Sequence, residues 1–386
     1  MNMLDRRRFL GAAAAGAAAL AAMPRIALAK APTDRRFVFI IQRGAADGLS
    51  TVAPTGDPAF AGLRGGLAED VAAGTALNPF FRLHPALAET AKMYGAGEAL
   101  FVHAVASPYR DRSHFDGQNV LETGGSGAYR LKDGWMNRLL GLLPEGEAKA
   151  IAVSATVPVA LRGARDVASY APSALPSASD DLLARVGDLY ARDAQLAPLW
   201  NEAMATRKLT GDLSGGGGRN GAATGALAAR LLAGDGGERV AFIETGGWDT
   251  HSAQRARLTA QLGGLDALLA ALKTGLGADW SNTLVLVATE FGRTAAINGT
   301  GGTDHGTASA AMLVGGAVKG GRVLADWPGL APSALYEQRD LRPTLDLDAL
   351  IANALAQHYG LDLARTGTAL FPESTAPKPL AGLIRA

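Results

Sequence analysis

Six short stretches of the chain are apolar at almost every position: FVFIIQ (37–42), ALFVHAV (99–105), AIAVSA (150–155), RVAFIE (239–244), TLVLVAT (283–289) and AAMLVGG (310–316). A strand with one wet face alternates apolar and polar residues, whereas an unbroken run fits a strand covered on both faces. Between these runs the apolar positions recur every three or four residues, which predicts helices. HPALAETAKMYGAG ends at glycine, DGWMNRLLGLL ends at proline, SAQRARLTAQLGGLDALLAALKTGLG follows His251, and DLDALIANALAQHYG stops at Gly360. Strands alternating with helices predict an α/β protein, a three-layer αβα sandwich around a mainly parallel central sheet.

Residues 178–233 break the rhythm. They read as helical stretches around LSGGGGRNG (213–221), a flexible linker by composition. The strands on either side form one set, so the expectation is a single domain over residues 30–386 with a helical, Gly-rich excursion. The first 29 residues have a different character. A basic start, an Ala-rich apolar middle and Ala27-Leu28-Ala29 form the three-part plan of an export signal. The middle is shorter than the roughly 20 residues that cross a bilayer, so no stable membrane span is expected. Arg6-Arg7-Arg8-Phe9-Leu10 is similar to a twin-arginine signal, which implies the twin-arginine (Tat) export machinery as a partner and a periplasmic or secreted destination.

Composition narrows the function classes. Apolar residues make up 48% and charged residues 19% of the 386, enough for a large core. Losing four arginines and one aspartate with the leader would take the net charge from +1 to −2. No basic stripe exists, which argues against nucleic acid. Cysteine is absent, excluding disulfides, thiolate nucleophiles and thiolate metal sites. A metal would therefore rest on oxygen and imidazole nitrogen.

In an open α/β sheet, ligands bind beyond the carboxyl ends of the strands. The first run is followed by Arg43, Asp47 and Gly48, and the second by Arg110, Arg112, Ser113 and His114. The 239–244 run leads into GGWDTH with Asp249 and His251, and the 283–289 run into Glu290, Arg293, Asp304 and His305. Carboxylate with imidazole suits zinc best, then manganese or iron, with magnesium or calcium for oxygen-rich subsets. Each group also has a plainer reading. Ser113 with Asp116 three residues on is a helix N-cap pattern, Asp47-Gly48 a turn, and the arginines loop ties. His84, His103 and His358 read as structural.

GAADGLSTVAP, YRDRSHFDGQNVLETG, GGWDTH, EFGRT and GTDHG, in this order behind the leader, resemble the bacterial DUF1501 family, which is grouped with the alkaline phosphatase and sulfatase superfamily. The resemblance implies a metal-dependent hydrolase of phosphate or sulfate esters, a small anionic substrate, and one or two divalent ions. It implies Asp47 as a ligand and either Ser113 or His114 as nucleophile. Asp249, His251 and His305 would form one metal site; Asp47 and Glu290, helped by Asp304, would form the other. Arg112 and Arg293 are the candidate clamps on the anion. The chain departs from the superfamily at Glu290-Phe291, where Asp-His is usual, and in the tight spacing of Asp249 and His251. Ser113 lies one residue out of register with Thr123-Gly124. Phe291 in place of the usual histidine leaves open a non-catalytic metal- or anion-binding scaffold, and a protein that works with an exported partner is a separate third reading.

Overall fold

The computed structural model describes residues 34–144, 149–171, 180–191, 193, 195–210, 220–234 and 236–385. The expected leader and residues 213–219 of the Gly-rich stretch lie outside them. Residues 31–386 form one compact unit.

All six apolar runs are strands: β1 (Arg36–Gln42), β2 (Ala99–Ala106), β3 (Ala150–Val153), β4 (Val240–Thr245), β5 (Thr283–Ala288) and β6 (Ser309–Val314). With three short edge pieces they make a nine-stranded sheet among the described residues. From Arg322–Leu324 at one edge to Ala168–Ser169 at the other, the order runs through β2, β6, β5, β1, β4 and β3. β1 pairs parallel with β4 and β5, and β3 pairs parallel with β4. β6 alone among the six runs antiparallel, between β5 and β2. β1 to β5 therefore end at one edge of the sheet, and β6 begins there.

Side-chain alternation along β1 builds the layers. Phe37, Phe39 and Ile41 face one cluster with Trp135, Met136, Leu350 and Leu355, while Val38 and Ile40 face another with Leu227, Leu262, Leu265 and Leu269. Each such side chain contributes about 1.5–3 kcal/mol when fully buried. The first face is covered by α1 (His114–Thr123), by Trp135–Leu140 and by Leu347–Tyr359. The second is covered by α2 (Gly221–Leu232) and α3 (Gln254–Leu276). The result is the three-layer αβα sandwich. α2, expected to belong to the excursion, is part of the core instead. It approaches α3 too closely for a side chain, since a Cβ on Gly221 would sit 1.9 Å from the Gly264 carbonyl oxygen. No helix among the described residues is long and apolar enough to cross a membrane.

His103 is a core histidine, as its place in an apolar run predicts. Its Nε2 lies 2.9 Å from the Val52 carbonyl and its Nδ1 accepts from the Ala104 amide at 2.8 Å. Ala104 has φ +55, and the register with β6 shifts beside it, so the strand bulges there.

Candidate metal centre

The loops beyond the strand ends meet at one edge of the sheet. His114 opens α1 after β2, and Asp249 and His251 follow β4. His305 lies on the excursion from β5 to β6, which folds back on itself through a bridge between Arg293 and His305. Close backbone contact brings the loops together. A Cβ on Gly44 would lie 2.6 Å from the Asp249 amide nitrogen, so this turn after β1 accepts only glycine, which also tolerates its φ of +119.

His114, Asp249 and His305 each offer a ligand atom within 4.8 Å of the others, a possible metal site. His251 adjoins it, with its Nε2 3.0 Å from Asp249 Oδ1 and 3.0 Å from His305 Nε2. His305 Nε2 is 3.3 Å from Asp249 Oδ1, and His114 Nε2 is 3.5 Å from Asp249 Oδ2.

Each ring is oriented from behind. His251 Nδ1 lies 2.9 Å from Asp304 Oδ1, His305 Nδ1 3.0 Å from the Arg112 carbonyl, and His114 Nδ1 2.8 Å from Glu290 Oε1. Carboxylates and carbonyls only accept, so each Nδ1 carries the proton, and a neutral ring then presents a bare Nε2 lone pair. Three lone pairs thus converge on one carboxylate. Such an arrangement repels itself unless a proton or a cation lies among them. Imidazoles tied through the far nitrogen are the usual setting of metal-binding histidines.

The surroundings of His305 keep its ring neutral, with Nε2 unprotonated. Burial and then the charge of His114 hold its pKa below the ordinary imidazole value. The Glu290 bond outweighs burial and raises His114. Burial works to raise Asp249, but the bond and charge of Arg293 outweigh it and keep the carboxyl below the usual range. Arg293 is fully buried; its Nη1 donates to Asp249 Oδ1 at 2.7 Å and its Nε to Thr303 Oγ1 at 3.2 Å. Its Nη2, also buried, has no hydrogen-bond partner among the described residues.

Several residues expected in the centre stand elsewhere. Asp47 stands apart from the cluster of His114, Asp249 and His305. It caps the turn Gly48–Thr51 through the amides of Leu49 and Ser50, and its other oxygen is held by Arg64 and Gln254. The Arg64 guanidinium balances the charge of this buried carboxylate, and among the described residues Asp47, Glu290 and Asp304 do not form a cluster of their own. Glu290 lies behind His114, where its Oε1 takes bonds from Gly44, His114 and Gln118 and its Oε2 one from Thr289. Burial would raise its pKa, yet His114 and Gln118 outweigh that and keep it ionised. Asp304 sits behind His251, whose bond lowers its pKa. Arg112 is taken up by Asp340 and Glu337, so only its backbone reaches the centre. Ser113 stands at the N-cap of α1 but its hydroxyl makes no capping bond. Phe291 stacks on His114 with ring centroids 5.1 Å apart and lies 5.3 Å from His305. Trp248 is buried and donates to Thr245 Oγ1 at 3.0 Å. Arg64, Gln118, Gln254 and Asn298, which joins Asp304 at 3.1 Å, were not singled out by the sequence.

Fold and centre together define an αβα protein with a candidate histidine–aspartate metal centre at the edge where its parallel strands end. The chain belongs to the family described as "Protein of unknown function (DUF1501)", whose profile matches residues 94–369. Curated proteins give no match. Among solved structures, the chain is similar to the C-terminal periplasmic domain of EcEptC from Escherichia coli, at 11% identity over 93% of each chain with a TM-score of 0.41. It is also similar to Ps i-CgsB, at 12% identity over 87% of this chain and 74% of that one, with a TM-score of 0.41. The alkaline phosphatase of the Antarctic bacterium TAB5 is 12% identical, covering 74% of this chain and 92% of that one, with a TM-score of 0.34.

Proposed function

We propose that the protein is an exported metal-dependent hydrolase of small phosphate or sulfate esters, carried out of the cytoplasm by the twin-arginine route. The reading rests on the three imidazole Nε2 atoms aimed at Asp249, each ring tied through Nδ1. Asp249, His251 and His305 would hold one divalent cation, zinc by ligand type, with His114 as a further ligand or as the proton donor at the same place. When bound, such an ion supplies a Lewis acid for an ester oxygen.

The chain's own groups would do the rest. Arg293 is fixed to Asp249 through Nη1, which leaves Nη2 free to donate to an anionic oxygen. Ser113, with a hydroxyl not engaged in capping, stands at the start of α1, where backbone N–H groups favour an anion. Metal analysis of protein purified from periplasm, followed by a screen of phosphomonoesters, phosphodiesters and sulfate esters, tests the reading. One bound ion with turnover supports it, and protein that takes up no ion defeats it. One observation favours a binding protein without turnover: Arg64 seals Asp47, so a two-ion centre is not built there. A stoichiometric ion with no turnover in that screen would select this alternative.

A further inference from the structure

Two loops carry His251 and His305, and one buried side chain touches both. Thr250 lies between Asp249 and His251, and Thr303 lies two residues before His305. Both hydroxyls meet Oε1 of Gln254, Thr250 at 3.0 Å and Thr303 at 2.6 Å. All three residues are sealed from solvent. At the other end of the same amide, Nε2 donates to Asp47 Oδ2. A carboxylate only accepts, so the amide cannot be turned around, and Oε1 must face the two threonines. Asp47 is itself fixed by Arg64 and by the Leu49 and Ser50 amides. Thr303 Oγ1, having donated to Gln254, accepts from Arg293 Nε, so the arginine that grips Asp249 hangs from the same point.

We propose that Gln254 is the positioning residue of the centre: it draws the Asp249–His251 loop and the Asp304–His305 loop onto one acceptor and so sets the spacing of their ligand atoms. Asp47, paired with Arg64, sets the direction of that amide. The inference rests on the metal reading given above and assigns the family's GAADG and GTDHG segments to one buried chain of hydrogen bonds. Burial strengthens such a chain and makes a missing link costly.

The test compares Gln254→Met, Thr303→Val and Thr303→Ser in the mature protein. Zinc affinity is measured by chelator competition, and the visible spectrum of the Co²⁺ form reports coordination geometry. Gln254→Met and Thr303→Val should bind zinc about 10–100-fold more weakly and shift the cobalt bands, while Thr303→Ser stays within about threefold of the parent. The losses in the double variant Gln254→Met/Thr303→Val should fall short of the sum of the two single losses, because both changes break the Gln254–Thr303 link while Thr303→Val also removes the acceptor of Arg293 Nε. Unchanged affinity and spectrum in folded variants, or fully additive losses, would overturn the proposal. If Gln254→Met does not fold, the valine–serine pair decides. If the parent takes up neither zinc nor cobalt, the metal reading fails, and the staple is judged on metal-free protein by NMR. The Thr250 and Thr303 hydroxyl protons should then exchange slowly with solvent, and rapid exchange of both would overturn it.

Discussion

The Nε2 atoms of His251 and His305 lie 3.0 Å apart, and with each Nδ1 bonded to an acceptor behind it the two Nε2 atoms face each other across the centre. Their Nδ1 protons point the other way, to Asp304 and to the Arg112 carbonyl. Asp249→Ala and His305→Ala should each abolish stoichiometric zinc, measured by elemental analysis after dialysis. Zinc at about 100 times its Kd should stabilise the parent against unfolding by about 2.7 kcal/mol, an increment that both variants lack. Retained stoichiometric metal in both variants would rule the centre out.

Glu290 separates holding a ring from holding an ion. As a direct ligand its loss would empty the site; as the partner of His114 Nδ1 it only orients the ring. Glu290→Gln should therefore keep the ion but bind it about 10–100-fold more weakly. It should also remove the interaction that raises His114. Titration of the His114 ring protons by NMR in metal-free protein should show a lower pKa in Glu290→Gln than in the parent.

The fold was legible because β1 to β6 are buried on both faces, which leaves unbroken apolar runs. The site was legible as far as chain position goes, since Asp249, His251, His305 and His114 all follow strands that end at one edge. What the sequence could not show was which side of an imidazole a carboxylate occupies. Glu290 and Asp304 sit where ligands are expected, yet both lie behind the rings. Asp47 has the spacing of a cap and the place of a ligand, and the outcome was decided by residues 17 and 207 positions away, Arg64 and Gln254. No local pattern marks partners at such separations.

The buried pair of Arg64 and Asp47 should be costly to break. Both side chains are almost wholly inaccessible, and Arg64 also donates to Ser50 Oγ at 2.6 Å and to the Thr294 carbonyl at 3.1 Å. Arg64→Leu strands an ionised carboxylate in the interior and should lower stability by about 3–5 kcal/mol. Urea unfolding followed by circular dichroism checks this, and a loss below about 1 kcal/mol, as for a surface pair, would contradict it.

Two buried groups tilt the pH dependence in opposite directions. Burial depresses the His103 pKa to about 4 from 6.5, so between those values the unfolded chain binds more protons. Its contribution is fully present above pH 6.5 and is lost as pH falls through about 4. Burial, then the charge of Asp346, raises Asp348 from 3.8 to about 7, so here the folded chain binds more protons. That contribution is present below pH 3.8 and is lost as pH rises through about 7. Asp348→Asn should accordingly unfold at higher urea than the parent at pH 8 and show a smaller decline in stability from pH 5 to 8. His103→Gln should flatten the decline from pH 6.5 to 4.

Arg293 makes the sharpest separation between charge and geometry. Its guanidinium is anchored at two atoms, Nε on Thr303 and Nη1 on Asp249, and the remaining Nη2 is buried without a partner among the described residues. A lysine keeps the charge but has one nitrogen, which cannot hold Asp249 and an anion in the same fixed fork. Arg293→Lys should therefore retain stoichiometric zinc while binding inorganic phosphate or vanadate at least about tenfold more weakly, since a lost charge-assisted bond is worth roughly 1.5–3 kcal/mol. Isothermal titration of the zinc-loaded proteins gives both numbers. Equal phosphate affinity in the two proteins would mean that Nη2 does not receive the anion, and Arg293 would then serve only to hold Asp249 in place.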